Sequence, residues 1–279
     1  MTTHTQSIQR LTPATLIQRY PLALFFAAVI GIDWLLSLAI VYEPAYNLPI
    51  VLVMSYVPAL AAWLVLRANG IADERQAFRQ RLRTWRIDWR WYGVALLLIP
   101  AIHLAALGVG ALFFDGAFPL HWQRVPLLLA ILPVNLGEEI AWRGFALPRL
   151  QQRFNGLTAS LILGLLWAAL HWVLWTVGIE NPLPAILLAT GWTISLTILM
   201  TWLFNQTKGS VLLATLMHAA TDTMFILVSP LSESNDILTA WALVTVMTAL
   251  VALSLVLITG VNLGKREPMP TIHQRTTVE

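Results

Sequence analysis

The sequence predicts an all-α, polytopic membrane protein with about eight transmembrane helices and a buried polar cavity. Of its 279 residues, 58% are hydrophobic and only 11% are charged, whereas roughly 25% of the residues in a soluble domain are charged. The mean hydropathy is +0.71. Long apolar segments recur along the chain, each near the roughly 20 residues that an α-helix needs to cross a bilayer. The chain contains no cysteine, which excludes disulfides and thiolate catalysis.

Eight segments have the length and hydropathy of a membrane span. They are residues 20–42, 48–66, 91–114, 125–147, 157–177, 183–204, 210–228 and 237–259. Pro58, Pro100 and Pro133 interrupt three of these segments, and membrane helices tolerate such prolines when neighbouring groups satisfy the freed carbonyl oxygens. The predicted organisation is a tail over residues 1–19, an eight-span domain over residues 20–260, and a disordered tail over residues 261–279.

The basic residues predict the orientation of the chain in the membrane. The two tails and the connections after the second, fourth and sixth spans hold 15 of the 17 lysines and arginines, and Arg124 and Arg143 are the others. The positive-inside rule therefore places both termini in the cytoplasm, with a bacterial plasma membrane as the expected location. The connection over residues 67–90 alternates arginines with apolar residues, which predicts an amphipathic helix on the inner leaflet. A basic topology anchor is favoured there over a substrate-docking element.

An acidic pair interrupts the fourth predicted span. Glu138 and Glu139 share one helix face with Asn135, Trp142 and Arg143. Counted from Asn135, the other four residues lie at positions i+3, i+4, i+7 and i+8, which is the spacing of a single face. Ionisable groups inside a membrane are energetically costly and usually functional. An ion pair between Glu139 and Arg143 would partly offset desolvation and leave Glu138 as the less compensated carboxylate, suited to act as a general base. The alternative is a polar cluster that only packs helices together.

Two further spans each carry a histidine in an i,i+4 pair. Trp167 precedes His171 in the fifth span, and His218 precedes Asp222 in the seventh. We expect Asp222 to accept a hydrogen bond from the His218 imidazole and to determine its tautomer. Together with the glutamates of the fourth span, these side chains predict a single buried reaction centre.

The helical rise tests whether these side chains lie at one depth. At ~1.5 Å per residue, Glu138 and His218 lie roughly 16 and 15 Å from the nearest cytoplasmic basic residue of their spans. The same estimate places His171 at roughly 27 Å, which is about 10 Å too deep. The fifth helix must therefore begin outside the membrane or tilt strongly. Asp33 and His103 stand alone in their spans and are interpreted as packing residues.

Three short motifs resemble those of a known family. The first is two glutamates, three residues and an arginine; the second is an aromatic residue, three residues and a histidine; the third is a histidine, three residues and Asn or Asp. The matching residues are Glu138, Glu139, Arg143, Trp167, His171, His218 and Asp222. In this order they resemble the CAAX protease and bacteriocin-processing family, which includes type II CAAX prenyl endopeptidases and bacterial Abi proteins. The resemblance covers about residues 127–223. Trp167 replaces the phenylalanine of the family.

The resemblance implies an intramembrane endopeptidase whose site opens to the cytoplasm. Glu138 and His171 would activate a water for attack on a peptide carbonyl, and His218 with Asp222 would stabilise the oxyanion. The residues with supporting roles would be Glu139, Arg143, Asn135 and Trp167. Asp222 stands where the eukaryotic prenyl enzymes have asparagine. Because an ionised aspartate cannot donate a hydrogen bond, Asp222 must be protonated or orient a charged His218.

Other functions remain open at this point. Glu138, His171 and His218 are also the ligand types of a catalytic zinc site, although a mechanism without metal or other cofactor is favoured. The same residues fit a non-proteolytic immunity or scaffold protein that binds a peptide. A proton-coupled transporter is disfavoured because no inverted repeat is evident. The expected partners are a peptide or membrane-protein substrate and the lipid bilayer, and no feature indicates nucleic-acid binding.

Overall fold

The computed structural model describes residues 13–42, 47–69, 72–113, 121–176, 182–228 and 236–265, and every regular element in these ranges is helical. The predicted tails lie largely outside the described residues. The α-helices are α1 (Pro13–Arg19), α2 (Pro21–Tyr42), α3 (Asn47–Asn69), α4 (Ala72–Arg83), α5 (Trp89–Phe113), α6 (Leu128–Ala141), α7 (Leu147–Leu150), α8 (Gly156–Thr176), α9 (Leu183–Gln206), α10 (Val211–Val228) and α11 (Asp236–Thr259).

The prediction of an all-α polytopic membrane protein is confirmed. Within the described ranges, α2, α3, α5, α8, α9 and α11 are each long and apolar enough to cross a membrane, and α10 is apolar but shorter. The predicted fourth span is divided into a 3-10 helix (Trp122–Leu127), α6, a π-helical turn (Trp142–Ala146) and α7. Pro126 lies in the 3-10 helix, where its missing N–H is compatible with a helix start. The π turn then changes the register ahead of α7.

Two pairs of helices pack closely at glycine residues, where the absence of a side chain leaves room for the neighbouring backbone. In α6, a Cβ on Gly137 would lie 2.5 Å from the carbonyl oxygen of Ser55 in α3. In α8, a Cβ on Gly164 would lie 2.8 Å from the Cα of Ile194 in α9. Small residues allow this close backbone approach between membrane helices. Because α6 also packs against α10, the helix that carries the glutamates is held from two sides.

Helix α4 confirms the predicted amphipathic helix, but its inner face is docked on the protein. Phe78 is buried beside Gly144 of the π turn, and Arg149 forms an ion pair with Glu74. Arg81 Nε donates a hydrogen bond of 3.1 Å to the Gly144 carbonyl. Burial lowers the pKa of Arg81 to about 10, and the nearby Arg149 acts in the same direction. Arg81 therefore remains a charged donor at neutral pH.

Candidate active site

The site is built on the π turn that follows α6. In this turn Leu147 N–H donates to the Trp142 carbonyl, five residues back, and all five residues of the turn are buried. Such single-turn insertions in α-helices occur frequently at functional sites. The carbonyl of Gly144 lacks an N–H donor four residues ahead because that residue is Pro148. Arg81 of α4 supplies the missing donor.

Glu139 is the centre of a closed, charged network. Its Oε1 accepts a hydrogen bond of 2.7 Å from an Arg143 terminal nitrogen and lies 3.0 Å from His218 Nδ1. Glu139 and Arg143 are completely buried, and His218 is 6% exposed. The predicted ion pair between Glu139 and Arg143 is confirmed. The network joins α6, the π turn and α10 through one carboxylate oxygen.

The partner of His218 differs from the prediction. Asp222 Oδ2 lies 3.9 Å from His218 Nε2, which is beyond hydrogen-bond range. Glu139 is closer because α6 packs directly on α10 and directs this glutamate toward the imidazole. With Nδ1–H donated to Glu139, the Nε2 atom is the one that faces Asp222.

Glu138 occupies a different environment from its neighbour. Its Oε2 accepts hydrogen bonds from two indole N–H groups, at 3.2 Å from Trp142 and 3.1 Å from Trp167. The side chain is partly exposed. Both donors are neutral, so this carboxylate has oriented hydrogen bonds without a hydrogen-bonded cation among the described residues.

Trp167 contacts Glu138, Arg143 and His218. Its indole N–H donates to Glu138, its ring face lies 4.7 Å from the Arg143 guanidinium carbon, and its centroid lies 4.9 Å from that of His218 at an angle of 82°. The family phenylalanine predicts only an aromatic ring here. The additional N–H donor could have been noticed from the substitution itself, because indole carries a donor that phenyl lacks.

His171 lies one helical turn beyond Trp167. Its Nδ1 is 3.0 Å from the Trp167 carbonyl oxygen, and its ring stacks on Trp175 at 5.3 Å between centroids. With Nδ1–H donated to that carbonyl, the lone pair is on Nε2. Among the described residues no hydrogen bond joins His171 to Glu138. The hydrogen bond from α8 to Glu138 comes instead from Trp167, and the depth estimate for His171 stays a prediction.

Asp222 and Asn135 lie beside one another at the edge of the centre. The Asp222 side chain is 36% exposed, whereas Asn135 is completely buried. The Asn135 amide has no partner with hydrogen-bond geometry among the described residues, although it is close enough to Asp222 to interact electrostatically. Asp222 also interacts electrostatically with His171 and Glu138. The predicted residues of the three motifs therefore lie in one region of the bundle.

Two other polar residues of the spans have different environments. Asp33 of α2 is buried, its Oδ2 has no hydrogen-bond partner among the described residues, and its charge interacts with that of Glu138. The interpretation of Asp33 as an isolated packing residue therefore misses its proximity to the centre. His103 bonds the Ile99 carbonyl and packs edge-on against Phe225, as expected for a packing residue.

The ligand set predicted for a zinc alternative is not assembled as a coordination site. Across the described ranges, no group of three or more His, Cys, Asp or Glu side chains is arranged to hold a metal ion. Glu138 is held by two indoles, and Nδ1 of His218 by Glu139. We therefore derive no step through a metal, and the expectation of no cofactor stays a prediction.

The fold and site define a class: a polytopic membrane protein with carboxylates and imidazoles among its helices. Residues 119–224 match the family model described as Type II CAAX prenyl endopeptidase Rce1-like. The chain is also similar to CAAX prenyl protease 2 of Methanococcus maripaludis, with 25% identity over 201 residues that cover 66% of this chain and 73% of that protein. The resemblance predicted from the three motifs is confirmed, and the protein is a membrane protease.

Proposed function

We propose that the protein is an intramembrane endopeptidase that hydrolyses a peptide bond with a water activated by Glu138 and His171. The observation that carries this proposal is the contrast between the adjacent glutamates. Glu139 is committed to Arg143 and His218. Glu138 is partly exposed and uses Oε2 for its two indole donors, which leaves Oε1 to bind a water.

In the proposed reaction Glu138 is the general base. It takes a proton from the water as the water oxygen attacks the peptide carbonyl carbon, and His171 orients that water through Nε2. The tetrahedral intermediate then collapses as Glu138 delivers the proton to the leaving amine nitrogen. The two indole N–H groups keep the carboxylate oriented through both proton transfers.

His218 is the proposed electrophile for the oxyanion. Because Nδ1–H is donated to Glu139, Nε2 must carry a second proton in order to donate to the oxyanion. The carboxylates of Glu139 and Asp222, at 3.0 and 3.9 Å from the ring nitrogens, favour that imidazolium. Asp222 therefore acts through charge and orientation, and His218 alone donates to the oxyanion.

The proposed substrate is a peptide or the tail of a membrane protein that enters from the cytoplasmic side. The concentration of lysines and arginines in the tails and even-numbered connections supports this orientation. The archaeal relative is named a CAAX prenyl protease. For this chain, lipidated and unlipidated forms of the same peptide belong in one assay, so that their turnover can be compared directly.

Cleavage of a quenched fluorescent peptide library by the purified protein tests the proposal. Wild type is compared with Glu138→Gln, with and without chelator, and Asp73→Asn is the matched control at an exposed carboxylate. We expect turnover in wild type and control, loss in Glu138→Gln, and no chelator effect. Turnover abolished by chelator and restored by zinc would reject the metal-free mechanism. Absence of cleavage together with tight peptide binding would favour the scaffold alternative.

Asp222→Asn tests the proposed division of roles between His218 and Asp222. If Asp222 stabilises an imidazolium, the neutral amide lowers turnover. If Asp222 is a protonated donor, asparagine replaces it as a donor and turnover persists. Steady-state rates for the two proteins, at equal occupancy of substrate, separate these cases.

A further inference from the structure

We infer that the outer face of α4 carries a binding site for the phosphate headgroup of an anionic phospholipid. The guanidinium groups of Arg75, Arg79 and Arg83 form it. This inference does not depend on the proposed catalytic mechanism.

The three arginines share one face because they are four residues apart in turn. They line a surface depression of about 950 Å³. The other residues that line it are Ala72, Gln76, Gln80 and Thr84. The depression thus combines three guanidinium groups with the side-chain amides of Gln76 and Gln80, which are donors suited to phosphate oxygens.

Within the described ranges, no ion pair compensates the charge of this face. Among the described residues the arginines in ion pairs are Arg143 and Arg149, and no carboxylate pairs with the three arginines of the depression. Like charges four residues apart on a helix destabilise it. A bound phosphate would relieve this repulsion, and the planar guanidinium group is suited to bidentate contact with it.

The position of the depression favours a lipid over a free anion. The opposite face of α4 is docked on the bundle through Phe78 and Arg81, so the three arginines face away from the protein. The chain then leads into span α5 past Trp85 and Trp89, which are 56% and 76% exposed. Exposed tryptophans at the end of a span mark the membrane–water interface. This position places the depression at the expected level of the phospholipid headgroups.

Native mass spectrometry of the detergent-purified protein tests the inference. Phosphatidylglycerol and phosphatidylcholine with identical acyl chains are titrated separately, and bound lipid is counted. The test variant is R75Q/R79Q/R83Q. The control variant R19Q/R153Q/K208Q removes the same charge from exposed basic residues elsewhere. We expect wild type and control to prefer phosphatidylglycerol, and the test variant to lose about 10–100-fold of that preference.

Three results would overturn the inference. The first is an equal affinity of wild type for both lipids. The second is an equal loss in the control variant, which would indicate general charge attraction. The third is displacement of the lipid by inorganic phosphate or an unlipidated acidic peptide at equal concentration, which would assign the depression to a soluble anion or a peptide. If the triple variant fails to fold, Arg79→Gln replaces it, with an expected loss of about 3–10-fold.

Discussion

The surroundings of Glu138 and Glu139 differ sharply although the residues are adjacent. Around Glu139 the site is closed and charged, with Arg143 and His218 both bonded to one oxygen. Around Glu138 it is partly open and neutral, with two indole donors. Successive residues on an α-helix point about 100° apart, so a single acidic pair reaches two environments. This difference supports the proposal that Glu138 is the general base and that Glu139 positions the site.

The largest expected effect is a loss of peptide turnover when the carboxylate of the open region is neutralised. Glu138→Gln should lower turnover by about 10²–10⁴-fold, because an amide cannot accept the proton of the water. The melting temperature should change little, since the amide oxygen still accepts the indole hydrogen bonds. Peptide cleavage and thermal unfolding of the same preparation measure both quantities. Retained turnover would contradict the assignment of the base.

The next effect should appear in stability. Glu139→Gln leaves Arg143 buried without its carboxylate, and breaking a buried pair in this way costs roughly 3–5 kcal/mol. Glu74→Gln is a matched control, because it removes the partner of Arg149 at a partly exposed site, where a pair contributes about 0–1 kcal/mol. Unfolding free energies in mixed detergent should differ accordingly. Equal losses of unfolding free energy in the two variants would show that the buried pair of Glu139 and Arg143 contributes no more than the partly exposed pair of Glu74 and Arg149.

A smaller effect tests the neutral donors of the open region. Trp167→Phe keeps the ring and removes one N–H donor to Glu138, and a hydrogen bond to a charged group contributes roughly 1.5–3 kcal/mol. We expect turnover to fall by about 10–100-fold. Trp142→Phe removes the other donor and should have a similar effect. If both variants keep full turnover, the two indoles do not orient the base.

The smallest effect concerns the support beneath the π turn. Arg81→Met keeps an apolar stem but removes the donor to the Gly144 carbonyl, at a cost of about 1–3 kcal/mol. Hydrogen exchange should rise in residues 142–150. Arg83→Met makes the same chemical change on the exposed face of α4 and should leave exchange there unchanged. A matching rise in both variants would count against this role of Arg81.

Local patterns predicted the helices and the contacts within a helix. Seven of the eight predicted spans correspond to single helices, and the pair of Glu139 with Arg143 follows from i,i+4 spacing. Contacts between helices were harder to predict. Glu139 contacts His218 because α6 packs on α10, and the spacing within α10 instead suggested Asp222. The spacing of residues along one helix does not specify which neighbouring helix packs against them.

The sequence did not predict that the fourth span is divided into several helical segments. Hydropathy alone does not distinguish a continuous helix from one that contains a π turn, since both bury the same apolar residues. In the sequence alone, Pro148 indicates only a place where a helix can end. Its effect on the Gly144 carbonyl, and the need for Arg81 as a replacement donor, depend on how α4 docks. That docking is a tertiary contact between residues 63 positions apart.

Arg81 has a consequence for what counts as the smallest functional unit of this protein. The segment that matches the family, residues 119–224, holds every motif residue but omits α2 to α5. It lacks the guanidinium that completes the backbone of its own π turn, and it lacks Ser55, whose carbonyl abuts Gly137. Excised alone, this segment would contain the proposed catalytic residues without the scaffold that positions them. The segment that matches the family model is therefore shorter than the part of the chain that must fold together to form the site.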